Sequence, residues 1–589
     1  MLSVLHGKPL QIVMYSDEVT PGRELLAYNH KKLWVLYWSF LDFGPAALSN
    51  EDAWFTGLTL RSHTVKNRVA GGMGQVFKVY ANMFFNDGCD FRLGITLIAP
   101  PAESAPAPAG SAPAPAGSAR GSILVFAELA MVVQDAEAHQ LAFDWKGASS
   151  IKCCPLCLNI VSKNCRLVRD RTGCTIPVYT TDTSQFRIMT NATFRSIQNR
   201  LKDLSTTATP NELNGKEQDF GFKWNPDSWL QDSGLDVQAM KVLAFDWMHC
   251  WCENGVWEIE FGACMDLLSP HGHGGRQLHA YLQLFKWPQA YASGRDVCKG
   301  SVQERSTAKD VRPAGSASEL ISVGPVVRKW LEDVVKPKHV CPAQVTSLLL
   351  CIKVMDLLVQ VNSGSIAPAT LATAIAAHYA AHVVAYGYSI FVPKHHFMLH
   401  IPKQLERFGF LVSCFVHERK HKIVKRWAVP LATGDKRDYE RSLLEECTLA
   451  HISSLKDPLL KPCLIEAVGA APKIVAVLRS HGYPSAESAR TGRDLRVHGR
   501  TIRIGDVVLY RGDGRNDFRI GQVDFHASLG GDIVTRISHW PVDRETSQWK
   551  KLVVKDDFAI VSSAWLSQSL IFTPAKVGAI ATALMPPSA

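Results

Sequence analysis

The sequence lacks the features of a secreted or membrane-embedded protein. Its opening, MLSVLHGKPLQIVMYSDE, has no charged segment followed by an apolar one, which a secretory signal requires. The longest apolar stretch, Leu371 to Phe391, contains His378 and His382 and is typical of a helix in a water-soluble protein. We therefore expect a nuclear or cytosolic protein with no membrane partner.

Cysteine and net charge are both modest. The 15 cysteines among 589 residues are too dispersed for a disulfide scaffold, and several stand close to histidines. That arrangement favours a reducing compartment and metal binding. Lys and Arg number 64 against 54 Asp and Glu, so the formal net charge is +10. This excess is compatible with a polyanionic partner but does not require one.

One segment also lacks the residues needed to build a core. Residues 100–122 consist largely of Ala, Pro, Gly and Ser, and APAPAGS occurs there twice in tandem. We expect a flexible surface loop without chemistry. The chain as a whole is 47% hydrophobic, which is enough for a large core.

The segment before this loop is expected to form strands. PLQIVMYSD and KKLWVLYWSFLDF are rich in apolar, aromatic and β-branched residues, and QVFKVYANMFF and DFRLGITLIA continue the series across residues 9–99. After the loop, ILVFAELAMVVQDAEA is an apolar element that runs into Asp135. These patterns predict the opening of an α/β domain.

The middle and the end of the chain differ from each other in periodicity. Residues 180–320 are mixed, whereas apolar residues recur at intervals of three and four from Val323 to Tyr388, which indicates helices. Two further helices are expected around HHFMLHIPKQLERF and CFVHERKHKIVKRW. The last hundred residues alternate in the manner of strands with glycine turns between them, which predicts a small β-barrel.

Two short motifs have the spacing of metal ligands. Cys154 and Cys157 form a CxxC pair in CCPLC, and two thiolates at this spacing can share one zinc ion. His396 and His400 stand four apart, so on a helix both imidazoles project from one face, and His395 is an alternative to His396. Each pair alone is also compatible with an ordinary structural role.

Two further motifs combine acids with bases. In FDWMHCWC, Asp246 and His249 can meet across one helical turn, where they could bind metal, orient a nucleophile or cap a helix. In HERKHKIVKRW, Glu418 shares a helical face with basic residues, which suits a metal ion beside DNA phosphates. A solvated helix face with internal ion pairs is the alternative.

Taken in order, these blocks resemble eukaryotic DDE transposases of the CACTA, Mirage and Chapaev group. YSDEVTPG with HKKLWVLYWSFLDFG is similar to the opening of that catalytic core, and VVQDAEAHQLAFDWKGASSIKCCPLC to the next block. FDWMHCWCENGV resembles the downstream DxxH segment. PKHHFMLHIPKQLERFG and CFVHERKHKIVKR resemble the paired histidines and the final glutamate. The match runs from residue 10 to 427.

The resemblance implies a role for each matching residue. Asp17, Asp135 and Glu418 match the catalytic acids, which would hold two Mg²⁺ or Mn²⁺ ions, and Asp144 is a substitute for the second acid. Asp246 and His249 match a segment that supports the active site or contacts DNA. One structural Zn²⁺ would be held by Cys154, Cys157, His396 and His400, and the residues expected to contact DNA are Lys420, Lys422, Lys425 and Arg426.

The resemblance also implies a domain order. We expect an α/β protein whose RNase H-like mixed sheet begins in residues 1–178 and is interrupted by a mainly helical insertion at 179–392. Residues 393–475 would complete the core with the zinc histidines and the helix of Glu418, and residues 490–565 would form the β-barrel-like module. Partners would be double-stranded DNA of transposon ends and targets and a second copy of the chain, in the nucleus.

The sequence departs from this family in three ways. The family carries a DNA-binding region before the first strand, where this sequence has only a short stretch. The APAPAGS segment is an insertion relative to the family. The C-terminal module is not part of the family's pattern. A decayed or domesticated transposase that binds nucleic acid without cutting it is therefore the first alternative. A zinc-containing scaffold with a partner-binding barrel is the second.

Overall fold

The structure is a computed structural model that describes residues 7–22, 32–86, 88–98, 122–163, 165, 175–299, 315–431, 438–455, 461–497, 500–512, 518–545, 549–553, 557–574 and 579–582. The expected loop at 100–122 lies outside these residues except for Ser122, which begins a strand.

The first part of the chain contributes strands and short helices. Its strands are β1 (Leu10–Val19), β2 (Leu33–Phe40), β3 (Phe55–Arg61), β4 (Cys89–Asp90), β5 (Ile95–Ile98), β6 (Ser122–Val125), β7 (Ala127–Gln134) and β8 (Ile160–Val161). Its helices are α1 (Gly44–Leu48), α2 (Ser62–Arg68), α3 (Gly72–Phe85) and α4 (Ala136–Ala142).

The middle of the chain is mainly helical. It contains β9 (Ile176–Pro177), α5 (Asn191–Thr207), α6 (Pro210–Phe220), α7 (Ala239–Val242), β10 (Leu243–Phe245), α8 (Trp247–Trp251), α9 (Val256–Leu268) and α10 (Gly275–Leu282). After residue 315 follow α11 (Ala317–Trp330), α12 (Pro342–Gln360), α13 (Pro368–Tyr386), α14 (Pro393–Met398), α15 (Ile401–Phe408), α16 (Phe415–Leu431) and α17 (Tyr439–Ser454).

A five-stranded mixed sheet in the order β10-β7-β1-β2-β3 organises the fold. β1 is antiparallel to β2 and parallel to β7, and β10 is parallel to β7. Consecutive residues of β1 such as Ile12, Val13 and Met14 are fully buried. A continuous apolar run rather than an alternating one is what a strand covered on both faces requires.

The predicted strand QVFKVYANMFF is wrong, because this segment lies in helix α3. Its buried residues include Val76, Phe77, Tyr80 and Phe84, whose spacing of one, three and four places them on one helical face. The ring of Phe77 packs on Trp229. Burial against a neighbouring element therefore overrides the strand propensity of the aromatic and β-branched residues.

The helices expected between Val323 and Tyr388 form as α11, α12 and α13. Helix α12 and the 3-10 turn that follows it, together Pro342–Ser363, are long and apolar enough to cross a membrane by length and composition, and half of their most apolar window is buried inside the protein. The strand β10 also lies within the stretch expected to be the helical insertion, yet it belongs to the central sheet.

The C-terminal part consists mostly of strands. These are β11 (Cys463–Ile465), β12 (Val468–Gly469), β13 (Arg490–Gly492), β14 (Asp494–Val497), β15 (Arg500–Arg503), β16 (Val507–Arg511), β17 (Phe518–Leu529), β18 (Asp532–His539), β19 (Val542–Glu545), β20 (Trp549–Leu552), β21 (Phe558–Ser562), β22 (Leu566–Ser569), β23 (Phe572–Pro574) and β24 (Ala579–Thr582), with one helix, α18 (Pro472–Ser480). Among the described residues they form sheets of three, seven and four strands. Backbone hydrogen bonds between Lys286 and Phe572 join this part to the helical region.

The chain is thus a mixed α/β protein with a mixed parallel and antiparallel sheet. Acidic residues directly follow the neighbouring strands β7 and β10 of that sheet.

Candidate metal centre

Three acids lie level with one another at one edge of the central sheet. Met14 pairs with Val132, and Phe245 pairs with Gln134, so Asp135 and Asp246 directly follow two neighbouring parallel strands. Asp17 comes three residues after Met14 on β1, as Asp135 comes three after Val132 on β7. We call this place the acid edge: it consists of Asp135 and Asp246 at the carboxyl ends of β7 and β10, with Asp17 beside them on β1.

The carboxylate of Asp17 is half-buried and accepts hydrogen bonds from two donors. The Tyr15 hydroxyl donates to its Oδ2 at 3.1 Å, and the backbone N–H of Glu18 donates to its Oδ1 at 2.7 Å. Burial raises the pKa of Asp17 to about 6; nearby His421 opposes this shift, and the negative charges of Asp135 and Glu418 add to it. Crowded carboxylates of this kind favour a bound cation.

Helix α16 brings Glu418 to the acid edge in its first turn. The Nδ1 atom of His421, one turn later, lies 3.8 Å from Oδ2 of Asp17 and 3.7 Å from Oε2 of Glu418. One ligand atom from each of these three residues lies within 4.8 Å of the others. Burial opposes ionisation of Glu418, but the neighbouring His421 lowers the pKa of its carboxyl group.

Asp135 stands beside this group without belonging to it. Its side chain caps α4, because Oδ1 accepts a hydrogen bond of 2.6 Å from the N–H of Ala138. Its charge contributes to the raised pKa of Asp17, so the two carboxylates interact. If Asp17, Asp135 and Glu418 hold metal ions together, their carboxylates have to lie close to one another. Asp17 and Glu418 do lie close enough to share an ion, and for Asp135 this stays a prediction.

The substitute for the second acid has a different environment. Asp144 is buried, adopts a left-handed backbone conformation with φ of 50°, and accepts a hydrogen bond of 2.8 Å from Asn225. Burial raises its pKa to about 6, against hydrogen bonds from Ser228 and Asn225. These contacts tie Asp144 to Asn225 and Ser228.

Asp246 caps α8 and orients His249. Its Oδ2 lies 2.6 Å from Nδ1 of His249, and its carboxylate also accepts from the N–H groups of Met248 and His249. Burial opposes charging of the imidazole, but the hydrogen bond and charge of Asp246, with further contributions from Asp135 and Glu253, raise the pKa of His249 to about 9. The structure therefore places an imidazolium beside the acid edge.

The second predicted ligand set comes together as a buried group. Cys154, Cys157, His396 and His400 lie with one ligand atom each within 4.8 Å of one another. Nε2 of His400 is 3.4 Å from Sγ of Cys154, 3.5 Å from Sγ of Cys157 and 3.2 Å from Nε2 of His396. These residues can hold a metal ion, which would compensate for burying two thiolates.

The structure also decides between the two neighbouring histidines. His396 faces the cysteines, whereas Nδ1 of His395 accepts a hydrogen bond from the N–H of Val392, and its ring stacks on Phe391. His396 and His400 are not on one continuous helix, because α14 ends at Met398 and α15 begins at Ile401. A tight turn between the two short helices keeps both imidazoles on the same side.

One buried group was not predicted from the sequence. Oε2 of Glu260 on α9 lies 2.6 Å from Nε2 of His378 and 2.8 Å from Nδ1 of His382, both on α13, and all three are fully buried. The hydroxyl of Ser347 donates to the other carboxylate oxygen at 2.6 Å. The histidine pair in the apolar stretch was a signal, but nothing in the sequence indicated Glu260 as its partner.

The basic residues after Glu418 do not all face solvent. Lys422 and Arg426 are exposed and Lys425 is half-buried. Lys420, by contrast, is buried, and its ammonium donates to the carbonyl of Glu51 at 2.9 Å. Burial lowers its pKa to about 8. Lys420 follows Val416 by four residues and so lies on the core-facing side of α16, which removes it from the predicted DNA surface.

Comparison of the chain with models of known protein families gives no match, and comparison with curated protein sequences gives none either.

Proposed function

We propose that the chain is the catalytic region of a DNA transposase that resembles the CACTA, Mirage and Chapaev group. Asp17, Asp135 and Glu418 would be its metal-binding acids. The observation that carries the proposal is the acid edge, because residues separated by most of the chain converge there around Asp17. Such convergence is expected of a catalytic carboxylate cluster and not of a solvated helix face.

The chemistry follows from the residue types at this edge. Two divalent ions, Mg²⁺ or Mn²⁺, would neutralise the phosphate and activate the attacking water or 3′-hydroxyl. The protein's own part is to position the acids: Tyr15 and the backbone of Glu18 fix Asp17, and the start of α16 fixes Glu418. His249, held by Asp246, presents a positive charge that suits a phosphate oxygen.

The fold is compatible with an RNase H-like core. Two features support that assignment. The first strand, β1, has an antiparallel neighbour on one side and a parallel neighbour on the other, and a helix carries the last acid. We further propose that residues 490–565 form a barrel-like accessory module. The long strand β17, which pairs with β13, β16 and β18, supports this part of the proposal.

The buried cysteine and histidine group would hold a structural Zn²⁺. Tetrahedral zinc separates two nitrogen ligands by about 3.3 Å and nitrogen from sulfur by about 3.6 Å, given its usual bond lengths. The observed separations of 3.2 to 3.5 Å are close to these values. A zinc ion there would tie residues 154–157 to residues 396–400 and so fix the segment that leads into α16.

The DNA would pass beside α16. Lys422 and Arg426 are exposed on the helix that carries Glu418, and they are the residues we assign to phosphate contacts. We propose the nucleus as the site of action and a dimer or larger assembly as the active form, because two transposon ends have to be cut together.

A nicking assay on double-stranded DNA with Mg²⁺ or Mn²⁺ tests the proposal. We expect metal-dependent nicking by the full chain and none by Glu418→Gln. Binding without nicking by the parent chain would favour the decayed or domesticated transposase. Zinc content with neither binding nor nicking would favour the scaffold.

A further inference from the structure

His421 completes a ligand group with two of the acids at the acid edge. Its ring is buried, and Nδ1 faces Oδ2 of Asp17 at 3.8 Å and Oε2 of Glu418 at 3.7 Å. The ring lies against Tyr37, with ring centroids 5.7 Å apart, so packing restricts its orientation. A nitrogen atom and two carboxylate oxygens therefore surround one small volume.

The two separations are too long for hydrogen bonds, whose N–O distances stay near about 2.7 to 3.2 Å. The same protein shows what an imidazole does when it bonds a carboxylate: Nδ1 of His249 lies 2.6 Å from Asp246, and Nε2 of His378 lies 2.6 Å from Glu260. His421 instead stands farther from both carboxylates, and the three ligand atoms lie within 4.8 Å of one another, close enough to share one cation. Two ligands at about 2.1 Å from one octahedral ion are about 3 Å apart when adjacent and about 4 Å apart when opposite.

We propose that Asp17, Glu418 and His421 form a mixed nitrogen and oxygen metal site that prefers Mn²⁺ or another first-row transition ion to Mg²⁺. This inference rests on the proposed function, since it concerns one of the two ions at the acid edge. Asp135, which lies outside the group, would serve with Asp17 at the other position through oxygen atoms alone.

The preference follows from ligand chemistry. Mg²⁺ takes hard oxygen ligands and binds few nitrogen atoms, whereas imidazole suits transition ions. The order of affinities for such a site rises from Mn²⁺ towards Cu²⁺. The two ion positions of the acid edge are therefore chemically unequal, and His421 makes the difference.

Pulsed electron paramagnetic resonance of Mn²⁺ bound to the full chain tests this directly. The protein is first saturated with Zn²⁺ at the cysteine and histidine group and freed of loosely held ions, and Mn²⁺ is then titrated in. A histidine ligand adds a ¹⁴N coupling to the Mn²⁺ signal. We expect this coupling in the parent chain and its loss in His421→Asn, with Mn²⁺ affinity at that position reduced by at least about tenfold.

Two further variants serve as controls. They distinguish loss of the His421 ligand from a folding defect and from a nitrogen ligand supplied by another histidine. Glu418→Gln changes a half-exposed side chain of the same group, so the variant should fold and also bind Mn²⁺ more weakly. His378→Gln alters the separate Glu260 group and should keep the ¹⁴N coupling.

The outcomes separate the inference from the proposed function. Mn²⁺ that binds without a ¹⁴N coupling, or a coupling that persists in His421→Asn, would overturn the mixed site and leave an oxygen-only catalytic centre. A chain that binds no Mn²⁺ beyond its zinc group would overturn both. Loss of coupling in His421→Asn with Mg²⁺ affinity nearly unchanged supports the mixed site.

Discussion

The carboxylate of Asp246 accepts a hydrogen bond of 3.1 Å from the backbone N–H of Cys414, which lies 168 residues further along the chain. Cys414 directly precedes α16, and the N–H of Glu418 bonds back to the carbonyl of Cys414 at 3.0 Å. One buried acid at the end of β10 thus fixes both His249 and the start of the helix that presents Glu418. Asp246 is a positioning residue for the acid edge.

Replacing Asp246 should therefore act through His249. In the folded protein the pKa of His249 is about 9, above the ordinary 6.5. The protonated His249 therefore stabilises the fold. This stabilisation is complete below pH 6.5 and is lost as the pH rises through 9. We expect Asp246→Asn to lower the free energy of unfolding by roughly 3 kcal/mol at about pH 6 and by much less at about pH 9.5, measured by urea denaturation.

The control for this experiment is the second acid near His249. Oε2 of Glu253 lies 3.5 Å from Nε2 of His249, and its side chain is 51% exposed. Glu253→Gln should therefore cost less than about 1 kcal/mol at either pH. An equal loss of stability at the acidic and the alkaline pH in Asp246→Asn would contradict the role of the charged pair.

Asp144 should show the opposite dependence on pH. Its pKa in the folded protein is about 6 against an ordinary 3.8, so ionisation destabilises the fold progressively as the pH rises from about 4 to above 6. An asparagine side chain cannot ionise and tolerates the positive φ of this position. Relative to the parent, we expect Asp144→Asn to gain roughly 3 kcal/mol between about pH 4 and about pH 7.5, measured by urea denaturation. The exposed Asp203→Asn should show no such gain, and a pH-independent difference in Asp144→Asn would contradict the raised pKa.

The buried cysteine and histidine group should control the metal content. We expect Cys154→Ser to reduce bound zinc from about one ion per chain to nearly none, because serine replaces a thiolate in a fully buried site. The melting temperature should fall as well, since metal binding contributes to folding. Elemental analysis after dialysis measures the first effect. Cys89→Ser, outside the group, is the matched control, and zinc retained in Cys154→Ser would refute the assignment.

Holding DNA and cutting DNA should be separable on α16. Lys422→Ala combined with Arg426→Ala removes two exposed charges, so the slope of log affinity against log salt should flatten by roughly one unit per lost contact. The loss should be similar for different DNA sequences, whereas Glu418→Gln should bind nearly as the parent does and fail to nick. Lys202→Ala, exposed on α5, serves as the control. Parental nicking by Glu418→Gln would remove Glu418 from the catalytic centre.

The local sequence pattern was sufficient to predict a segment's structure where residues nearby in the chain decide that structure. The helices α11 to α13 and the strands β15 to β18 form where periodicity predicted them. The pairs Cys154 with Cys157 and His396 with His400 were also recognisable, because metal ligands recur at short spacings. The side chains involved are close in sequence, so their spacing carries the information.

Only the tertiary structure decided which distant residues meet. QVFKVYANMFF became a helix because one of its faces is buried in the core, where Phe77 packs on Trp229, and β10 is too short for its three residues to show a period. Strand register and helix packing decide three further features: the burial of Lys420, the pairing of Glu260 with two histidines, and the approach of His421 to Asp17. Such contacts join residues far apart in the chain, and no local pattern specifies them, because the free energy that selects them comes from burial in the folded core.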